Sequence, residues 1–122
     1  MNNEKELVLI PKYEQYIEYI LLVIMKIPRT EKFSIGNEFK LSMYDTLEKI
    51  LYISKIEKNK RMYYLNIVDT KLNCQRIYLR IMLKQRWIDE KKYKVAFEHL
   101  AEIGRIVGGL IKVYGKNIEK SI

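Results

Sequence analysis

Residues 90–114 read EKKYKVAFEHLAEIGRIVGGLIKVY, and this stretch decides the fold. Tyr93, Phe97, Leu100, Gly104, Val107, Ile111 and Tyr114 recur in unbroken steps of four and three. That spacing keeps returning to one side of a 3.6-residue helix, whereas a strand alternates every second residue. Asp89 stands where an N-cap belongs, and Glu90 follows at the positive end of the helix dipole. A helix from 90 to 115 is about 39 Å long and must bury its stripe against partners of similar length.

The three preceding segments supply those partners. The first, at 11–27, opens on Pro11, a residue that an initial helical turn tolerates, and carries Tyr13, Ile17, Ile20, Ile24 and Ile27 before Pro28. Ser34 is the N-cap candidate for the second, at 35–57, with Phe39, Met43, Leu47, Ile50 and Ile53 at helical spacing. The polar run Glu57-Lys58-Asn59-Lys60-Arg61 reads as a turn. The third segment, at 61–87, sets Leu65, Val68, Leu72, Leu79 and Met82 on one side. Short joints make neighbours antiparallel. The expected fold is therefore all-α, an up-down-up-down four-helix bundle forming one domain over 1–122.

Composition agrees. With 122 residues, 48% hydrophobic and 31% charged, the chain has the size of one domain and too much apolar content for disorder. Five glycines and two prolines are few for the tight turns of an all-β fold. The single Cys74 and single His99 exclude an internal disulfide and multi-Cys or multi-His metal sites. No apolar run approaches the roughly 20 residues of a membrane span, and no secretory leader is evident, so the expected compartment is the cytoplasm. No glycine-rich phosphate loop, H-E-x-x-H or Cys/His pair is present. The reading is a non-enzyme with no cofactor, no metal and no membrane partner.

Charge points to a partner. The formal balance is +8, and it is uneven: 11 basic and 9 acidic residues through Arg61, then 12 and 6 beyond it. Between Thr70 and Ile88 lie Lys71, Arg76, Arg80, Lys84 and Arg86 without one acid. A solvated face normally mixes signs, because like charges one turn apart repel. On the wheel Arg76, Arg80 and Lys84 form a ridge beside the core stripe, and a second apolar side follows with Ile67, Cys74, Ile77, Tyr78 and Ile81. A bundle helix needs one buried side. Ile67, Ile77, Tyr78 and Ile81 are accordingly expected at an oligomer interface. Arg76 and Arg80, helped by Lys84, Lys112 and Lys116, are the candidate contacts to phosphates of RNA or DNA. Gly104 and Gly108 form G-x-x-x-G, which favours close helix packing in the bundle or between subunits; Arg105 and Lys112 beside it argue against a membrane dimer. Aromatics near basic residues can stack on bases, and Tyr16, Tyr19, Tyr52, Tyr63, Tyr64 and Tyr78 are candidates for interfaces, with the sequence leaving open which.

Three segments together carry a resemblance: Lys26-Ile27-Pro28-Arg29, Arg76-Ile77-Tyr78-Leu79-Arg80, and Glu102-Ile103-Gly104-Arg105-Ile106-Val107-Gly108-Gly109-Leu110-Ile111. In this order and spacing, from about Val8 to Lys116, the chain resembles the accessory variability determinant (Avd) proteins of diversity-generating retroelements. Those belong with the four-helix-bundle proteins encoded in intervening sequences of large-subunit ribosomal RNA genes. The resemblance implies a homopentameric barrel of bundles that binds nucleic acid and associates with a reverse transcriptase making mutagenised cDNA. It also implies a basic role for Arg76 and Arg80, and adds Arg105 of the E-I-G-R motif to the candidate nucleic-acid residues. The alternatives are a ribosomal intervening-sequence type of bundle, without a polymerase, and a protein-interaction scaffold that never touches nucleic acid.

Overall fold

A computed structural model of the chain describes the backbone of residues 4–121 and the side chains of residues 8–116. Its elements run α1 (Glu4–Met25), α2 (Arg29–Lys32), α3 (Ile35–Lys55), a 3-10 turn (Lys58–Lys60), α4 (Arg61–Lys84) and α5 (Glu90–Ser121). Four helices are long, α2 is a single turn in the joint after Pro28, and no strand occurs among the described residues. The long helices close a ring in which α3 packs on α1 and α4, while α5 packs on α4 and α1.

Cross-contacts fix the directions. Gly36 of α3 approaches Ile24, whereas the Tyr13 hydroxyl reaches the Met43 carbonyl two turns farther along α3. Phe39 meets Tyr78 and Tyr52 meets Tyr64. Arg61 bonds Tyr114 and Arg76 bonds the Leu100 carbonyl. As one number rises the other falls, so each of these pairs is antiparallel. This is the expected up-down-up-down bundle.

The helix ends differ from the sequence expectation, each for a physical reason. α1 begins at Glu4, with Pro11 inside it. Leu9 is buried, so the turn before the proline is held by core packing although Pro11 lacks an N–H. Ser34 does not cap α3 with its side chain. Asp89 does cap α5: its carboxylate accepts the Lys92 backbone N–H at 2.8 Å, and this donor holds the Asp89 carboxyl below its ordinary range. α4 stops at Lys84, short of 87, because the chain reverses there: the Trp87 N–H bonds the Met82 carbonyl at 2.9 Å and Arg86 takes a φ of 63°. Glycine usually holds that left-handed position, so no sequence signal marked the stop. α5 continues past 115 to Ser121.

The core contains the expected stripe of α4, with Leu65, Val68, Leu72, Leu79 and Met82 all buried. On α5 the buried stripe is rotated. Ala96, Leu100, Ile103, Val107, Leu110 and Tyr114 are inside, whereas Phe97 is 45% exposed and Gly104 and Ile111 lie at the margin. α5 touches two neighbours and has a broad apolar arc, so two interleaved heptads were available to it. Near mid-bundle the core is polar. Gln75 accepts from the Tyr16 hydroxyl at 2.8 Å and donates to Ser42 and Thr46, each at 3.2 Å, while Thr46 bonds the Ser42 carbonyl at 2.7 Å.

Candidate nucleic-acid interface

The outward side of α4 follows from its inward one. Once Leu65 to Met82 are buried, the 100° step between residues turns Ile77, Arg80, Ile81 and Lys84 away from the core. Ile77 is 46% exposed and Ile81 39%, and Arg80 and Lys84 are exposed beside them. Among the described residues neither cation pairs with a carboxylate. The ridge and its apolar flank are thus two sides of one exposed surface.

Other candidates are placed differently. Lys71 is drawn off to α3, where its ammonium lies 2.7 Å from Asp45, which also takes Lys49 at 3.1 Å. Hydrogen bonds from Lys71 and then Lys49 hold the Asp45 carboxyl below its usual value. Arg76 is half-buried between α4 and α5, donating to the Leu100 carbonyl at 3.2 Å and to the Asn73 side chain. It is a bridge between helices with one edge toward solvent. The glycine it crosses is Gly104, where a Cβ would stand 2.5 Å from its guanidinium nitrogen. What lies against Gly104 is thus an arginine side chain, where the sequence reading expected the backbone of another helix. Among the described residues nothing comes within 4 Å of a Cβ position at Gly108. Tyr78 is half-buried with its ring 5.6 Å from Phe39, so it serves the α3–α4 contact, and Ile67 is also half-buried.

Arg105, Lys112 and Lys116 are exposed on α5. Arg61 lies level with Tyr114 and Arg76 with Leu100, so Lys112 and Lys116 stand at the opening end of α4. Lys84 is at the opposite end. The candidate cations thus fall into two groups.

A family model described as bAvd-like matches residues 7–114. The chain belongs to the bAvd-like family. For this bAvd-like bundle a comparison with curated proteins finds no match. Among solved structures it is similar to a protein of unknown function from the S23 ribosomal protein family of Bacteroides thetaiotaomicron. That likeness has a TM-score of 0.80 at 17% identity, covering 88% of this chain and 98% of the other. At such identity it bears on the fold alone, and it agrees with the four-helix architecture.

Sequence reasoning missed two residues of this family member, Arg61 and Gln75, whereas it did expect a surface or packed His99 and an ion-paired Glu102. Arg61, read as part of a polar turn, is buried, donating to the Ile56 carbonyl at 3.2 Å and to the Tyr114 hydroxyl at 2.8 Å. Gln75 sits inside the core as the hub of the tyrosine cluster. His99 lies half-buried with its ring 5.6 Å from Tyr19, and Glu102 is paired with Lys12 across α1 and α5. One signal was available for Gln75: it occupies the Leu72–Leu79 stripe. Among the described residues no group of His, Cys, Asp and Glu is arranged to hold a metal, and no helix is long and apolar enough to cross a membrane.

Proposed function

We propose that this chain is a basic, non-catalytic accessory protein of the cytoplasm. In this reading it binds nucleic acid, associates with a retroelement reverse transcriptase and supports mutagenic cDNA synthesis. The observation that carries the reading is the pair Arg80 and Lys84, exposed on successive turns of α4 and, among the described residues, paired with no carboxylate. Arg76 stands at the inner edge of that ridge, where its hydrogen bonds to Leu100 and Asn73 orient the guanidinium. Family membership supports the polymerase partner. Exposed Ile77 and Ile81 supply apolar surface for a neighbouring copy, as a homopentamer would require, and repetition of the ridge around a ring would multiply a modest patch into a strong field.

Phosphate-driven binding is indifferent to sequence and falls steeply with salt. Fluorescence anisotropy with labelled DNA and RNA across a salt series tests it. The variant Arg80→Gln with Lys84→Gln should keep its helical spectrum, bind more weakly at low salt, and lower the slope of log K against log salt by about 2 for two lost phosphate contacts. Unchanged affinity would reject the ridge. A scaffold touching only protein predicts no binding by the wild type without the polymerase.

A further inference from the structure

At the opposite end of α4 lies a cluster of tyrosines that neither the core nor the ridge accounts for. Tyr64 is half-buried against the core and serves as its base. Tyr52 of α3 stacks on it, with centroids 5.3 Å apart and planes 28° from parallel. Tyr63 meets the same ring edge-on, at 5.3 Å and 87°. A purely structural role explains Tyr64 and part of Tyr52, since their stack ties α3 to α4. It does not explain why Tyr63 stays 67% exposed and Tyr52 49%. Open grooves flank the cluster on both sides, one lined by Glu48, Leu51, Tyr52 and Lys55, the other by Tyr63, Asn66, Ile67, Thr70 and Lys71.

The surroundings of these rings are cationic. Lys55 at the end of α3 and Lys58 and Lys60 in the 3-10 turn are exposed, and the Arg61–Tyr114 bond brings the α5 turns bearing Lys112 and Lys116 to the same end. Glu48 and Glu57 oppose them, with Glu57 only 4.0 Å from Lys60 at the edge of ion pairing. A copy of this same end placed face to face would set lysine against lysine. An anionic partner with flat apolar surfaces meets the rings and the lysines together. Single-stranded nucleic acid has both properties, because its unpaired bases offer π-faces that a duplex hides within its own stack.

We infer that Tyr52 and Tyr63, seated on Tyr64, form a stacking platform for bases of single-stranded nucleic acid, with the surrounding lysines taking its phosphates. This rests on the nucleic-acid reading above and deepens it: the Arg80–Lys84 ridge is blind to strandedness, and the platform supplies a preference for single strands. The two groups of cations thereby gain separate tasks. Tyr63 and Arg80 are 17 residues apart on one helix, roughly 25 Å at 1.5 Å per residue, so each can be removed without disturbing the other.

The test compares a labelled oligo-dT of about 20 nucleotides, a length that covers a binding site of this kind, with a duplex of equal length, by anisotropy. Tyr52→Leu with Tyr63→Leu should lose about tenfold or more on the single strand, as base–aromatic stacking predicts, while duplex affinity stays within about twofold. Tyr52→Phe with Tyr63→Phe keeps the rings and should bind like the wild type. Unchanged single-strand affinity in the leucine variant overturns the platform, and so does an equal loss on both probes. A changed molar mass by light scattering, or a changed helical spectrum, would make the rings interface or structural groups and would equally overturn it. Wild-type binding to neither probe removes the functional reading itself. Wild-type binding that weakens in the Arg80→Gln, Lys84→Gln variant preserves that reading whatever the tyrosines do.

Discussion

Arg76 and Gly104 show how much one missing Cβ can arrange. Because Gly104 has no side chain, the guanidinium crosses α5 and reaches the Leu100 carbonyl. Alanine at 104 would gain helix propensity and lose that seat, so the two effects offset. At 108 nothing opposes the gain, since a Cβ there meets no atom within 4 Å. Gly108→Ala should therefore raise the thermal midpoint by about 3–5 °C, corresponding to about 1 kcal/mol, with Gly104→Ala close to neutral. Calorimetry on both variants checks this, and a lowered midpoint for Gly108→Ala would reveal another chain packed against that spot. The G-x-x-x-G spacing was legible in the sequence. Which glycine had a neighbour was not, because Arg76 comes from another helix.

The helices are joined by more than apolar stripes. Gln75 of α4 bonds Tyr16 of α1 and Ser42 and Thr46 of α3, so one amide links three elements. Gln75→Leu keeps the volume but leaves the Tyr16 hydroxyl without its acceptor, at a cost of about 1–3 kcal/mol. Urea denaturation should show a lowered midpoint with an unchanged m value; full wild-type stability would mean the hydroxyl finds another partner. The turn between α4 and α5 offers a second check. Arg86 holds a φ of 63°, where glycine is comfortable and a β-branched residue is not. Arg86→Gly should stay within about 1 kcal/mol of the wild type and Arg86→Val should fall below it by about 1–2 kcal/mol, read from the same denaturation curves. Helix existence was legible because periodicity is local. The stop at Lys84 and the start before Pro11 were not: the Trp87–Met82 reversal and the burial of Leu9 and Ile88 involve packing that periodicity along one segment does not reveal.

The whole bundle carries a pH response in its tyrosine core. Burial pushes the Tyr13 hydroxyl up to about 12, and burial also raises Tyr16 well above the ordinary 10. A group whose folded value is raised stabilises fully below its unfolded value and loses that contribution as pH climbs through the folded one. The contribution of Tyr13 should thus hold to about pH 10 and fade as the pH approaches about 12, and that of Tyr16 is likewise lost only on the alkaline side of its ordinary value. Circular dichroism followed beside tyrosinate absorbance should show a late ionisation step coinciding with loss of helix. Complete tyrosine ionisation in an intact bundle would contradict it. Tyr13→Phe with Tyr16→Phe should delay the alkaline transition.

By itself the sequence determined that four amphipathic helices would form, run antiparallel and carry an excess of positive charge on the third long one. Those properties follow from spacing along a single chain and from short joints. Tertiary structure decided the rotation of α5, the burial of Arg61, the pairing of Lys71 with Asp45 and the division of the cations into two groups. Each of these is settled by which atoms of a second helix lie within a few ångströms. A pattern read along one helix leaves its rotation about its own axis undetermined until its neighbours are packed against it.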